Sequence, residues 1–369
     1  CKGGDFRRWA GNECYVVNWF NNGEEIRKAA QGASGGRLVN IDCALQKSIV
    51  WTKISSSIIC LRYKNTGLFF SDAAPGLFSD DEKLMYILGL MNTKYAMKII
   101  NLINPTLNFV PGTIASIPII DGLPCISEVK QLVKQNISLS KSDWDAFETS
   151  WDFTKHPLLR NKLTISEAYS EWEAECNTRF AQLKANEEEL NRIFIDIYGL
   201  QDELTPEVED KDVTVRKADL QRDIKSLLSY AVGCMFGRYS LDKPGLVFAG
   251  GNFDAVYWRY KGQAALDENG DPIEGGYAGI SLAEYHYPKF HDTDDWETAT
   301  WLSYEPDADN VIPITDEEYL DDDIVSRLCD WLKVVYGADT LEANLDYIAK
   351  ALGNKGSTSR EIIRNYFLN

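Results

Sequence analysis

The first 125 residues of the chain alternate short apolar stretches with turns rich in glycine and asparagine. Aromatic and β-branched residues between such turns are typical of short strands, so this pattern predicts a strand-rich region. We expect strands at Tyr15–Trp19, Ser48–Trp51, Ile58–Tyr63 and Gly67–Phe70. Apolar residues at three- and four-residue steps predict one helix among them, over Asp81–Leu102, with a stop at Asn104 and Pro105.

Helical periodicity dominates after Pro124. Apolar residues spaced by about 3.5 positions predict one long helix over Thr164–Tyr198, and residues 164–167 form a capping box at its start. At 1.5 Å per residue this helix would be about 50 Å long, which is more typical of a spacer arm or a coiled-coil partner than of a core helix. Another helix is predicted over Lys217–Arg238, after an acidic loop at residues 202–212.

The last part of the chain returns to strand-like and glycine-rich segments over residues 240–313, followed by helical spacing with capping boxes at Thr315–Glu318 and Thr358–Glu361. The predicted fold class is therefore α+β. We expect a mixed, strand-rich domain with a core helix over residues 1–125, a helical spacer over 126–238 and a second α+β domain over 239–369.

Charge changes this picture more than overall composition does. With 44% hydrophobic and 25% charged residues, the chain has the composition of a folded protein and not of a disordered one. Its formal charge of −18 would argue against nucleic acid. However, residues 1–125 hold 13 Lys and Arg against 10 Asp and Glu, and the remainder holds 25 against 46. The N-terminal region is therefore the candidate for binding a polyanion.

The chain carries no signal for export or for a membrane. It has neither a signal peptide nor an apolar stretch long enough to cross a bilayer, so we expect a cytoplasmic protein without membrane contact. Its eight cysteines are scattered singly, which predicts free thiols, buried where they lie in apolar runs, as Cys60 and Cys234 do. The first residue is not Met and the last follows a helix-like run, so we expect a fragment.

Motifs for catalysis are missing from the sequence. Adenine methylation in DNA requires a cofactor loop and an (Asn/Asp/Ser)-Pro-Pro-aromatic loop that receives the flipped base. The nearest strings, at residues 247–251 and 104–107, lack the required glycine spacing or the second proline and the aromatic residue. Residues 206–211 contain the letters of a metal-dependent nuclease motif without its spacer. We expect no catalytic residue and no bound cofactor in this chain.

Metal sites are expected to be absent as well. His286 and His291 lie near Asp292 and Asp294, but an i, i+5 spacing of the histidines fits no regular face. Residues 267–271 resemble the start of a calcium loop, but Pro272 stands where such a loop needs glycine.

Basic residues of the N-terminal region are interleaved with aromatic residues and amides. Arg and Lys neutralise phosphates or bind guanine through two hydrogen bonds, and Asn binds adenine in the same way. The candidate DNA-binding residues are Arg7, Arg8, Asn12, Asn18, Arg37, Trp51, Lys53, Arg62 and Lys64. The alternative is that these are solvated charges and core aromatics.

One segment near the C-terminus carries a single sign of charge. Residues 290–326 hold 13 acidic residues and no Lys or Arg. A solvated acidic face is the ordinary interpretation, and a docking surface for a basic partner is the alternative. This segment supports a second hypothesis, in which the chain is a non-catalytic scaffold that docks other proteins.

Five strings of residues carry a resemblance to a known family. They are GDFRRWAGN at 4–12, YVVNW at 15–19, GLMNTK at 89–94, NPTLNF at 104–109 and GTIASIPI at 112–119. These resemble the target-recognition region of large adenine-specific DNA methyltransferases, in particular the PglX-type enzymes of BREX phage-defence systems. The third and the last of these strings, taken together, are also similar to recognition domains of type I specificity subunits and type IIG enzymes.

The strings at residues 143–153, 189–200 and 219–240 extend the resemblance along the whole chain, with Ala10 and Thr93 as mild departures. The resemblance implies an N-terminal methyltransferase domain, missing from this chain, that holds S-adenosyl-L-methionine and methylates N6 of adenine at a short site. This chain would then choose the sequence, with double-stranded DNA, the missing domain and other phage-defence proteins as its partners.

Overall fold

The computed structural model describes residues 3–32, 40–55, 58–104, 106–120, 125–248, 276–277, 280–281, 303–307, 310–353 and 356–369. Contacts divide the chain into two compact units. Unit 1 consists of Cys1–Trp151 and Glu175–Lys217, and unit 2 consists of Asp152–Ala174 and Ala218–Asn369.

A small antiparallel sheet organises unit 1. Its strands are β1 (Ser48–Trp51), β2 (Leu61–Lys64) and β3 (Gly76–Leu77), in the order β2-β1-β3. The free edge of β2 is occupied by the N-terminal segment, because Trp9 donates its backbone N–H to Leu61 and accepts from Tyr63, at 3.0 and 2.8 Å. This parallel pairing covers the edge of the sheet.

Unit 1 also contains the helices α1 (Phe20–Gly32), α2 (Asp81–Met91), α3 (Lys94–Ile103), α4 (Pro111–Ala115), α5 (Ile126–Asp145) and part of α6 (Ile165–Tyr198). One apolar core joins sheet and helices, with Trp51, Leu88 and Phe194 among its buried members. Helix α2 packs so closely on α5 that a Cβ on Gly89 would lie 2.8 Å from Cγ1 of Val129. Glycine at this position therefore permits the contact.

The described part of unit 2 is mainly helical. It contains the first residues of α6, α7 (Leu220–Met235), the short hairpin strands β4 (Gly276–Tyr277) and β5 (Ile280–Ser281), α8 (Ile324–Tyr336), α9 (Leu341–Leu352) and α10 (Ser359–Leu368). Tyr230 and Trp331 lie in its buried core.

The structure confirms the α+β class and most of the predicted elements. The long helix ends at the predicted residue, and Thr164 caps it by accepting from the N–H of Glu167 at 3.2 Å. Cys60 and Cys234 are buried as expected. Thr358 also caps a helix, through the N–H of Glu361 at 3.2 Å.

Other predictions were wrong. The single helix over Asp81–Leu102 is two helices, because the hydroxyl of Thr93 accepts from the N–H of Ala96 and starts α3 as a new N-cap. Thr315 caps no helix, since α8 begins at Ile324 with Asp323 as its N-cap. Tyr15–Trp19 and Gly67–Phe70 form no strand with any described residue. The edge of β2 that could have received such a strand is already paired with Trp9.

The three predicted domains stay a prediction, and the two units follow another division. Helix α6 contributes to both units, and residues 175–217 belong with the N-terminal region.

In the described residues, no helix is long and apolar enough to cross a membrane. These residues also contain no group of three or more His, Cys, Asp or Glu side chains that could hold a metal ion. The histidine pair near residue 290 and the calcium-like string lie outside the described residues.

Candidate nucleic-acid interface

Arg7 lies inside unit 1, where it ties the N-terminal segment to helix α5. Its guanidinium donates to the carboxylate of Asp143 at 2.9 Å and to the carbonyl oxygens of Ser140 and Ala10 at 2.7 and 2.8 Å. It also lies 5.1 Å from the ring centroid of Trp144. A buried cation needs such compensation, because desolvation without partners costs several kcal/mol.

The next two residues share one carboxylate of helix α6. Arg8 donates to Oε2 of Glu187 at 3.1 Å, and the indole N–H of Trp9 donates to Oε1 at 2.6 Å. All three residues are buried, and burial raises the pKa of Glu187 above its ordinary value despite the nearby Arg8. This carboxylate therefore holds the N-terminal segment against helix α6, while the backbone of Trp9 pairs with β2.

Arg62 and Lys64, on strand β2, also point into the protein. Arg62 donates to the carbonyl oxygens of Arg7 and Gly3 at 3.3 and 3.1 Å, and burial lowers its pKa. Lys64 donates to the carbonyl of Gly11 at 2.7 Å and pairs with the carboxylate of Glu13. Burial lowers the pKa of Lys64 to about 8.

Trp51 is a core residue whose indole N–H donates to the carbonyl of Phe109 at 2.8 Å. Five of the nine candidate DNA-binding residues are therefore buried: Arg7, Arg8, Trp51, Arg62 and Lys64. The four basic residues among them pair with carboxylates and carbonyl oxygens inside unit 1. Their contact with DNA stays a prediction that their positions do not support.

Three of the remaining candidates are accessible, and Arg37 lies outside the described residues. Asn18 is exposed and donates to the carboxylate of Glu25 at 3.1 Å. Asn12 and Lys53 are partly exposed and lie in loops outside the strands.

Lys53 follows strand β1 and is positioned by two other loops. Its backbone N–H donates to Ala73 at 3.0 Å, and its carbonyl accepts from Phe109 at 2.7 Å. Its ammonium group donates to both carboxylate oxygens of Asp72, at 2.7 and 2.9 Å, and the side chain of Asp72 is 92% exposed. Such a surface ion pair contributes about 0–1 kcal/mol, so a phosphate can replace the carboxylate at low cost.

Asn12 belongs to the N-terminal segment, which contacts Thr52 just after the end of β1. Its amide donates to the carbonyl of Asp5 at 3.0 Å, and the neighbouring carbonyl of Gly4 accepts from the hydroxyl of Thr52 at 3.3 Å. Two large apolar side chains of these loops, Ile54 and Leu107, are exposed. We call this group the strand-end surface; its members are Asn12, Thr52, Lys53, Ile54, Asp72 and Leu107.

The strand-end surface contains a lysine whose ion pair is exposed to solvent, an amide and two apolar side chains. These are the groups with which proteins contact DNA phosphates and base edges.

Sequence reasoning missed Asp143, Glu187 and Asn92, which hold unit 1 together. Asn92 accepts from the N–H of Leu61 and donates to its carbonyl, both at 3.0 Å, and so joins α2 to β2. Glu187 lies between Leu183 and Leu190 on the apolar stripe of α6. A carboxylate on an apolar stripe was the available signal, because such a residue must find a buried partner.

Only part of the acidic segment at residues 290–326 is described. Within it, Asp323 is buried, caps α8 by accepting from the N–H groups of Val325 and Ser326, and pairs with Arg364. This residue is structural and does not add to an acidic face. Docking of other proteins by the segment stays a prediction.

Comparison with known proteins identifies relatives over the whole chain. Adenine-specific methyltransferase PglX of Lacticaseibacillus casei (strain Zhang) is 37% identical over 377 residues, which cover 99% of this chain and 28% of that protein. Adenine-specific methyltransferase BrxX of Escherichia coli O9:H4 (strain HS) is 32% identical over 393 residues, again 99% of this chain and 28% of the relative. No protein-family model matches the chain.

This chain thus spans 28% of the length of these relatives. The chain matches the C-terminal part of the PglX family of adenine-specific methyltransferases.

Proposed function

We propose that this chain is the target-recognition part of an adenine-specific DNA methyltransferase of a phage-defence system. In this proposal it binds double-stranded DNA through the strand-end surface, while a separate methyltransferase domain binds S-adenosyl-L-methionine and receives the flipped adenine. The names of the two relatives support the activity of the whole enzyme. A cytoplasmic location, where such an enzyme meets DNA, belongs to the same proposal.

The accessible ion pair of Lys53 is the observation that supports DNA contact at the strand-end surface. Unlike Arg7 or Arg62, Lys53 has a partner that is almost fully solvated, and its backbone is fixed by two neighbouring loops. When such a cation binds a DNA phosphate, it displaces condensed counterions from the DNA, and the entropy of these released ions favours binding. The loops would therefore set the register of the protein on the phosphate backbone.

DNA binding across a salt series tests the proposal. The chain is mixed with a pool of duplexes long enough to contain most short sites, and bound duplexes are sequenced. We expect affinity to fall with salt and one asymmetric motif to be enriched, because phosphate contacts supply affinity and base contacts supply choice. Absence of binding at low salt, both by this chain and after addition of the methyltransferase domain, would contradict the proposal.

Variants locate the contact on the strand-end surface. Lys53→Ala should weaken binding to all sequences alike and reduce the slope of log K against log salt by about 0.9. Lys333→Ala is the matched control, because Lys333 is an exposed lysine of unit 2 that pairs with Asp330 in a similar way, at 2.9 Å. Equal effects of the two variants would place DNA elsewhere.

A further inference from the structure

Helices α2 and α5 of unit 1 are in close contact at one point and enclose a cleft beyond it. At the contact, a Cβ on Gly89 would lie 2.8 and 2.9 Å from methyl groups of Val129 and Val133, so no larger residue fits there. Nearer the start of α2, a cleft of about 290 Å³ lies between the two helices and the sheet. Its lining consists of Tyr63 from β2, Asp81, Glu82 and Met85 from α2, and Lys130, Lys134 and Ile137 from α5.

The inner part of this cleft is apolar. Met85 is buried, and Tyr63 and Ile137 are half-buried. An aromatic ring packs favourably against such residues, because contacts with another ring and with a thioether sulfur add to the burial of apolar area. An apolar cavity of roughly half this volume is large enough for benzene. The cleft therefore has room for a small molecule built on one ring.

Most charges of the lining already have partners. Glu82 pairs with Lys130 at 2.9 Å, and Asp81 pairs with Lys47. Lys134, one helical turn after Lys130, is exposed and has no hydrogen-bond or ion-pair partner in the described part of the chain. Among the charged groups described in this lining, the ammonium group of Lys134 is therefore the one that a ligand can neutralise without breaking an ion pair.

The hydroxyl of Tyr63 is a second polar group that a ligand can use. It has no hydrogen-bond partner among the residues that the structure describes, although the side chain is half-buried. Burial raises the pKa of Tyr63, so the hydroxyl keeps its proton and remains a donor. Polar groups removed from water are ordinarily paired, and an acceptor in the cleft would supply the partner.

We propose that this cleft binds a small anion built on an aromatic ring, either a carboxylate or a phosphate ester, with its ring on Met85 and Tyr63 and its charge on Lys134. An apolar lining with a few converging polar groups is the usual plan of a small-molecule site. The site is separate from the strand-end surface, since Tyr63 pairs with Ile49 near the start of β1 and Lys53 follows the end of that strand. The inference does not depend on the proposed function.

Methionine-methyl NMR spectroscopy detects occupation of the cleft. The chain has four methionines, of which Met85 lines the cleft and Met235 lies in α7 of unit 2. Phenylacetate is the probe, and phenylacetamide, with the same shape and no charge, is the matched ligand. Phenylacetate should shift the Met85 signal and leave that of Met235 in place. Phenylacetamide should bind roughly threefold to tenfold more weakly, because a hydrogen bond to a charged group is the stronger one.

Two outcomes of this titration would overturn the inference. One is an unmoved Met85 signal with both ligands up to about 10 mM, which exceeds the Kd expected even of a weak ligand of this size. The other is equal affinity for the charged and the neutral ligand, since the cleft would then not select an anion.

A lysine variant locates the charge. Lys134→Ala should reduce the affinity for phenylacetate to that for phenylacetamide. Lys141→Ala is the matched control and should retain the preference, because Lys141 is an exposed lysine of α5, two turns further on, that pairs with Asp145 at 2.8 Å. Thermal unfolding establishes that both variants are folded. An undiminished preference in Lys134→Ala, or equal loss in the two variants, would overturn the inference.

Phenyl phosphate distinguishes the two sources of the anionic group. Tighter binding of phenyl phosphate than of phenylacetate would identify a phosphate ester as the ligand class, and the reverse order would identify a carboxylate. In either case the shift should occur at Met85 and the affinity should fall in Lys134→Ala. A phenyl phosphate complex that is insensitive to this substitution would contradict the role of Lys134.

Discussion

Trp9 donates its indole N–H to Glu187 at 2.6 Å, across 178 positions of the sequence. Arg8 donates to the other oxygen of the same carboxylate, and the backbone of Trp9 pairs with β2. The N-terminal segment is therefore held at once by the sheet and by helix α6. Its position determines where Asn12 lies, so under the proposed function the buried ion pairs would affect DNA binding without touching DNA.

Removal of a buried carboxylate should destabilise the chain strongly. Asp143→Ala leaves Arg7 buried without its carboxylate and also removes the carboxylate partner of Arg216, so the free energy of unfolding should fall by about 3–5 kcal/mol. Urea denaturation followed by tryptophan fluorescence measures the change. Asp72→Ala is the control, since this exposed pair with Lys53 should contribute less than about 1 kcal/mol. Similar losses in the two variants would mean that the Arg7 pair is not buried in solution.

A methyl group at Gly11 should be poorly tolerated for two separable reasons. Gly11 has a φ of 108°, and a Cβ there would collide with Nε of Arg7. Gly67 has a φ of 90° and open space within 4 Å of where a Cβ would lie, so Gly67→Ala measures backbone strain alone, about 1 kcal/mol. We expect Gly11→Ala to cost roughly 1–3 kcal/mol more in chemical denaturation. Equal costs would argue against the packing of Arg7 on this glycine.

Stability at alkaline pH should report the burial of Lys64. Burial lowers its pKa to about 8 in the folded chain, against 10.5 as the ordinary value. Between these pH values the unfolded chain binds more protons, so this contribution to stability grows as pH rises and is lost as pH falls through 8. The unfolding free energy of the unaltered chain, relative to Lys64→Met, should rise by roughly 1–3 kcal/mol from pH 7.5 to 10. A constant difference would mean that Lys64 keeps its ordinary pKa.

Burial of His156 should make the free energy of unfolding depend on pH in the acidic range. In unit 2 its ring is buried beside Tyr230, and burial lowers its pKa to about 3 from 6.5. The unfolded chain binds a proton below pH 6.5 that the folded chain does not, so this stability is lost as pH falls from 6.5 towards 3. Relative to His156→Gln, the unaltered chain should lose about 1.4 kcal/mol between pH 7.5 and 5.5. An equal pH dependence of both proteins would exclude a depressed pKa.

The helices were predictable because their apolar stripes and caps are local properties of the sequence. Thr164 illustrates this, since its cap involves only Glu167, three residues away. The strand expected at Tyr15–Trp19 does not form, and the edge of β2 is paired instead with Trp9, earlier in the chain. No local signal could reveal that competition.

The candidate interface was predicted only in part for a related reason. A sequence pattern of interleaved cations and aromatics is the same whether the cations face water or buried carboxylates. The carboxylates that pair with Arg7 and Arg8, those of Asp143 and Glu187, lie more than a hundred positions away in the sequence. Among the candidates, Lys53 and Asn12 stay accessible because they lie outside the strands of the sheet.

The ion pairs of the N-terminal segment set a limit on recombination between relatives. If a gene segment for residues 1–125 were exchanged alone, the incoming Arg7 and Arg8 would have to match Asp143 and Glu187 of the recipient. A mismatch would leave a charge without its partner in the core. Under the proposed function, exchange of DNA specificity in evolution, or by making chimaeras, should therefore succeed when residues 126–151 and 175–217 are inherited together with residues 1–125.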